Sequence, residues 1–260
     1  MNNFFEKKQI IGMVHLLPLP GSPKYQQNDE EIKSQAFKDV DALLEGGCST
    51  FIVENFNDDP YAETIDDFGF ALMTSICTDI RNKYPEVKLG INIQFDDYLK
   101  ELALAKAVKA DFIRSEVFID TRVGIQGIIK PKAREIAMIC SQYKMKTLVF
   151  ADIDVKHTVA LVKEPLLGLV DKCKEEGADA VILTGTKTGE NAKIEDIIEV
   201  KKQLGNSFPI IIGSGIKANN IKQYLEYADG VIVGSSIKIG GNVRNGIDAS
   251  KVKELLESIE

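Results

Sequence analysis

Short apolar runs recur along the chain, and several are introduced by the same tight turn. Lys109-Ala110-Asp111-Phe112-Ile113, Gly177-Ala178-Asp179-Ala180-Val181-Ile182 and Tyr227-Ala228-Asp229-Gly230-Val231-Ile232 share one theme: a helical segment ends, an Ala-Asp turn follows, and a β-rich run begins. Gly46-Gly47-Cys48-Ser49-Thr50-Phe51-Ile52 is a looser fourth copy, and Ile10–Val14, Leu89–Ile93, Thr147–Ala151 and Ile210–Ile212 are further apolar runs between them. Continuous β-branched runs suit strands covered on both faces, as in a parallel sheet. The intervals carry helical periodicity at Asp39–Glu45 with its upstream turn, Ile65–Lys83, Tyr98–Val108, Ala133–Tyr143, Leu166–Glu176, Ile194–Leu204, Ile221–Glu226 and Val252–Ile259. Strict strand–helix alternation over eight units in 260 residues predicts an α/β fold, one closed (β/α)8 TIM barrel over residues 1–260. No Pro/Ser/Gly-rich linker divides it.

Loop lengths indicate which end of the barrel works. Helix-to-strand connections are tight, as the Ala-Asp turns show. Strand-to-helix connections are long: Leu16–Asn28, Val117–Pro131, Val155–Glu164, Gly185–Lys193 and Ser235–Asp248. In this fold, long loops of that kind crowd the C-terminal face, where sites are built.

Chemistry gathers at the predicted strand ends. Alternate residues of a strand share a side, so Phe150, Asp152, Asp154 and Lys156 line up if the strand extends that far. Glu54 and Asn55 follow the second strand, Asn92 and Gln94 the third, and Arg114 and Glu116 the fourth. The two histidines of the chain, His15 and His157, follow strands one and five. Charged groups inside a barrel are costly unless paired, so their repetition at one end predicts a polar pocket. Asp152 or Asp154, with a pKa set by burial against Lys156, is the expected general acid/base. Glu54 and Glu116 are second candidates, and His15 is expected to exchange protons near neutral pH. Asn55, Asn92, Gln94 and Thr184 are placed as hydrogen-bonding groups for substrate. No fixed-spacing metal motif occurs. Magnesium or manganese on Asp152, Asp154, Glu54, Glu116 and His157 is the one cofactor option these hard ligands suggest. The bland alternative for any single residue is a structural ion pair, such as Arg114 with Glu54 or Glu116.

The last two strands carry the most specific signal. Gly213-Ser214-Gly215 follows one and Gly234-Ser235-Ser236 the other. Glycine turns free backbone N–H groups for an anion, and a barrel's phosphate site falls after these same strands. A phosphorylated small molecule is therefore the expected ligand, with Lys238 or Arg244 assisting. Arginine is rare here, five (Arg81, Arg114, Arg122, Arg134, Arg244) among 32 basic residues. Arg114 and Arg244 near the mouth thus point to planar bidentate contacts.

This ending resembles the ribulose-phosphate-binding barrels, including the α subunit of tryptophan synthase, which implies the phosphate-binding type of TIM barrel. The opening Ile11-Gly12-Met13-Val14-His15-Leu16-Leu17-Pro18-Leu19-Pro20-Gly21-Ser22-Pro23 resembles the signature of the BtpA family. Val53-Glu54-Asn55-Phe56, Gly90-Ile91-Asn92, Phe112-Ile113-Arg114 and Leu183-Thr184-Gly185 extend the likeness along the chain. That resemblance implies one of two roles. Members are named for photosystem I biogenesis, as membrane-peripheral stabilising factors. Others lie beside sugar-metabolism genes, which implies an enzyme. The expected activity is that of a lyase, isomerase or hydrolase acting on a phosphorylated sugar or nucleoside-like metabolite; the alternative is a non-catalytic assembly factor.

Composition narrows the partners. A net charge of -7, from 39 acidic and 32 basic residues, argues against nucleic-acid binding. Cys48, Cys77, Cys140 and Cys173 form no C-x-x-C pair and sit in apolar stretches, which predicts reduced thiols and a cytoplasmic setting. Ile10–Leu19 is too short to span a membrane and lacks a signal-peptide cleavage site, so no transmembrane segment is expected. A homo-oligomer is an option, because Phe4, Phe5, Phe68 and Phe70 suit an interface, a plug for the barrel bottom, or helix packing.

Overall fold

The computed structural model describes residues 3–95, 97–155, 157–185 and 192–259. Eight parallel strands close into a barrel: β1 (Gln9–His15), β2 (Thr50–Glu54), β3 (Lys88–Asn92), β4 (Phe112–Ser115), β7 (Leu148–Ile153), β9 (Ala180–Leu183), β10 (Ile210–Ile212) and β11 (Gly230–Val233). They neighbour one another in chain order, and β11 pairs with β1 to close the ring. The helices between them are α1 (Asp29–Glu45), α2 (Asp67–Lys83), α3 (Tyr98–Ala107), α4 (Ala133–Tyr143), α5 (Leu166–Glu175), α6 (Ile194–Leu204), α7 (Ile221–Leu225) and α8 (Ala249–Glu257). The chain is a (β/α)8 barrel, as the alternating pattern predicts.

The Ala-Asp turns have a physical cause. At each, the aspartate opens a strand, its N–H donates to a carbonyl on the neighbouring strand, and its carboxylate accepts the N–H of that same neighbour. Asp111 does this with Leu89, Asp179 with Val149 and Asp229 with Ile210. An amide near the start of a strand otherwise lacks a partner, and the motif satisfies it. The looser copy substitutes the Cys48 thiol, which donates to Ile10 O at 3.4 Å.

Helix α1 begins ten residues before Asp39. Asn28 caps it by accepting Glu31 N, three acidic residues fill its first turn, and Ile32, Ala36, Val40 and Leu43 form the buried stripe. At the N-terminal end of the barrel, Phe4 lies edge-on to Phe112 and Phe150 at 5.3 and 5.4 Å, with Phe5 beside it. These two rings plug the bottom. Phe68, 78% exposed on α2, and the half-buried Phe70 do not.

The sequence pattern did not predict the long loops' own structure. β5 (Arg122–Gly124) and β6 (Gly127–Ile129) form a hairpin in the β4–α4 connection, and β8 (Val159–Ala160) joins it as a third antiparallel strand. No helix among the described residues is long and apolar enough to cross a membrane. All four cysteines are free, and burial pushes the Cys77 and Cys173 thiols up to about 12.

Candidate functional site

Inside the barrel, alternate residues point to the axis. The lower layers are apolar: Ile11 and Met13, Ile52, Phe112, Leu148 and Phe150, Ala180 and Ile182, Ile211, and Ile232 pack as one cluster. Two residues further along, the same parity reaches the C-terminal mouth and changes chemistry. His15, Glu54, Gln94, Arg114, Glu116, Asp152, Thr184, Gly213 and Gly234 all line one cavity of about 590 Å³. Each of the eight barrel strands thus delivers at least one residue to the same chamber.

The polar wall is tightly organised. Arg114 Nε and Nη2 donate to Asp152 Oδ2 and Oδ1 at 2.7 and 3.1 Å, while Arg114 Nη1 lies 3.9 Å from Glu54 Oε2. Burial opposes the guanidinium charge, but the facing Asp152 carboxylate, with Glu54 and Glu116 nearby, outweighs it and holds Arg114 firmly protonated. Gln94 Nε2 donates to Glu54 Oε1, and Glu116 Oε2 accepts Phe95 N at 2.9 Å. Asp152 is therefore paired with Arg114; Lys156, expected as its partner, lies outside the described residues.

His15 behaves differently from expectation. Its ring stacks on Phe56 at 4.2 Å and its Nδ1 faces Val243 O at 3.1 Å. A carbonyl can only accept, so Nδ1 carries the proton and Nε2 is left with a lone pair. Burial, then the charge of Lys238, lowers its pKa to about 3, with Arg114 and Arg244 acting in the same direction against the Val243 contact. His15 is a neutral acceptor rather than a group that titrates near pH 7.

The opposite wall is Gly213, Ser214 and Gly215 together with Gly234 and Ser235. Gly215 has φ +78°. Ser235–Ile237 is a 3₁₀ turn whose internal bonds begin with Ile237 N and Lys238 N, so the amides of Ser235 and Ser236 precede its first bond. A Cβ added at Gly234 would sit in van der Waals contact with His15 Cε1 and Met13 Cγ, 3.9 Å from each, at the wall of the chamber. Arg244 closes the rim, donating to Asn57 Oδ1 and Asp59 Oδ1 at 2.7 and 3.1 Å, over the Phe56 ring.

Several expected residues lie elsewhere. Asp154 does not share a side with Asp152: β7 ends at Ile153, Asp154 turns at φ +65°, and its carboxylate accepts Arg122 Nη2 at 2.9 Å, outside the cavity lining. Lys238 is not available to an anion at the mouth; it is buried against Asp39 of α1 at 3.0 Å. Asn55 ties the loops after β2 and β3, accepting Gln94 N and donating to Asp58, and Asn92 donates to Arg114 O from beneath the chamber. Ser236 follows the lining residue Ser235 but does not itself line the cavity. His157 does line it. Among the described residues no three His, Cys, Asp or Glu side chains converge on one point, and Asp152 and Asp154, expected to share a metal, face different arginines. Phe56, Asp59, Tyr61, Ile125 and Gln126 are among the further lining residues and were not singled out as site residues in the sequence. The position of Phe56 directly after Glu54-Asn55 was the available signal.

A closed parallel barrel with a polar chamber at the C-terminal mouth defines the class, a TIM-barrel protein. In fold it is similar to a thiamine phosphate pyrophosphorylase from Pyrococcus furiosus, with TM-score 0.61, 14% identity, and 99% and 98% of the two chains covered. A phosphoribosyl anthranilate isomerase from Thermus thermophilus aligns with TM-score 0.56, 11% identity, and 96% and 98% of the two chains covered. The BtpA family model matches residues 6–260, and the chain belongs to that family. An uncharacterized protein of Archaeoglobus fulgidus is 38% identical over 255 residues, covering 97% of this chain and 98% of its own. The Photosystem I biogenesis protein BtpA of Synechocystis is 35% identical over 252 residues, covering 96% and 87%.

Proposed function

We propose that this chain is an enzyme for a phosphorylated sugar or nucleoside-like metabolite. The observation that carries the reading is the two-walled chamber, with Gly213–Gly215 and Gly234–Ser235 on one side and Glu54, Glu116 and the Arg114–Asp152 pair on the other. The glycine wall suits a phosphate, whose charge the backbone amides of Gly215, Gly234 and Ser235 would meet. Anchored there, the rest of the substrate would reach the carboxylates, so that orientation supplies part of the rate. Both Asp152 oxygens are held by Arg114, which makes the pair a positioning element. Glu54 and Glu116 are then the better proton-transfer groups, and neutral His15 is suited to accept a hydroxyl through Nε2. Fold likeness to a thiamine phosphate pyrophosphorylase and to a phosphoribosyl anthranilate isomerase supports the ligand class. The four free thiols, three of them buried, support a reducing cytoplasmic setting.

A second reading, an assembly factor for a membrane protein complex, is favoured by the 35% identity to the Synechocystis Photosystem I biogenesis protein. A thermal-shift panel separates the two. D-ribose 5-phosphate and other sugar phosphates are expected to raise Tm, by several degrees at about 100 Kd, while D-ribose does not. Gly234→Val, whose side chain would enter the chamber, is expected to keep the fold and lose the shift. A panel in which no phosphorylated metabolite stabilises the protein would reject the enzyme reading.

A further inference from the structure

The small antiparallel sheet beside the mouth has two chemically different faces. Directly paired residues project to the same side of a sheet, and their neighbours along the strand to the other. The row Ile129–Arg122–Ala160 faces inward: Arg122 is 1% exposed and donates to Asp120, Asp154 and Thr158. The alternate row, Ile128–Val123–Val159, faces solvent and is entirely apolar, with exposures of 65%, 39% and 65%. Leu161 N donates to Thr121 O at 2.9 Å, which continues the pairing and adds Leu161, 61% exposed, to that row. Ile125 at the hairpin turn and Val162 border it, 82% and 67% exposed.

Together these side chains leave on the order of 600 Å² of apolar surface open, the top of the range for a soluble monomer and close to the roughly 800 Å² per partner of a standard interface. The strand order β6–β5–β8 also leaves the outer strands without a strand neighbour among the described residues. We infer that this sheet is the surface on which a second copy of the chain docks, the two outer faces packing across a two-fold axis. The paired row offers no charge for a charged partner to match. An isologous contact needs no second complementary surface, because the same apolar row meets itself. The interface also reaches the site, since Ile125 and Gln126 of this hairpin line the chamber. Gln126 holds both amide atoms buried with no partner among the described residues. Docking of the second copy fixes that wall.

Light scattering and sedimentation over roughly 1–100 µM, where an interface of this size associates, test the inference. The wild-type protein is expected at the mass of two copies. Val123→Lys with Ile128→Lys is expected at one copy, with unchanged circular dichroism and Tm, and a dimer dissociation constant raised at least about 100-fold (roughly 2.7 kcal/mol). If that variant does not fold, Val123→Cys decides. Oxidation should give a reducible two-copy band absent from the unsubstituted protein. A single-copy wild-type mass, a two-copy mass retained by the folded lysine variant, or no cross-link overturns the inference. So does a monomer that floats with phosphatidylglycerol vesicles, which would assign the face to lipid.

Discussion

The charge state of His15 follows from where its strand ends. Two residues earlier, at Met13, the same side of the strand lies in the inner apolar layer; at the mouth His15 is buried against Phe56 and feels the charges of Lys238, Arg114 and Arg244. Its pKa of about 3 lies below the ordinary 6.5, so between those values the unfolded chain binds a proton that the folded one does not. Stability from this group is therefore full above about pH 6.5 and falls as pH drops toward 3, with a limiting slope of about 1.4 kcal/mol per pH unit. Denaturant unfolding of the wild type and His15→Gln from pH 7 to 4 should show a shallower acid loss in the variant. Parallel curves would mean that the ring is not held neutral.

At the scale of the element, the loop between β11 and α8 is tied down by one buried ion pair. Asp39 of α1 accepts Lys238 Nζ, Ile247 N and Gln35 Nε2, at 3.0, 2.9 and 2.9 Å, and both charged side chains are 1% exposed. Burial pushes the Lys238 ammonium down while Asp39 pulls it up, with a net lowering. Removing one partner strands the other: Lys238→Met should cost about 3–5 kcal/mol, and adding Asp39→Asn should return part of it. Additive losses in urea unfolding would show that the two do not act as a pair. Lys238 looks like a phosphate ligand by position in the chain, three residues after Ser235, and only the packing of α1 against that loop removes it from the mouth. The hairpin had no chain signal beyond its apolar residues, because a three-residue strand is too short for periodicity to register.

For the molecule as a whole, the barrel is stoppered at one end and open at the other. Phe4 stands over Phe112 and Phe150 at the bottom, where its ring completes the inner layer. Phe4→Ala should cost about 3–5 kcal/mol and lower Tm by roughly 6–15 °C, read by calorimetry, while leaving the chamber at the far end intact. A loss below about 1 kcal/mol would mean the plug is dispensable. The repeat of Ala-Asp turns, the apolar runs and the asymmetry of loop lengths were enough to reach the barrel and to mark the end where the chamber opens, because periodicity and turn chemistry are local properties of the chain. Position at the ends of the strands likewise singled out His15, Glu54, Arg114, Asp152 and Gly234, and all five line the chamber. Which carboxylate meets which arginine, whether His15 carries charge, and that Asp154 turns away toward Arg122 depended on contacts between segments tens of residues apart. Those pairings emerge only once the ring closes, since burial and the identity of a charged neighbour are properties of the folded space.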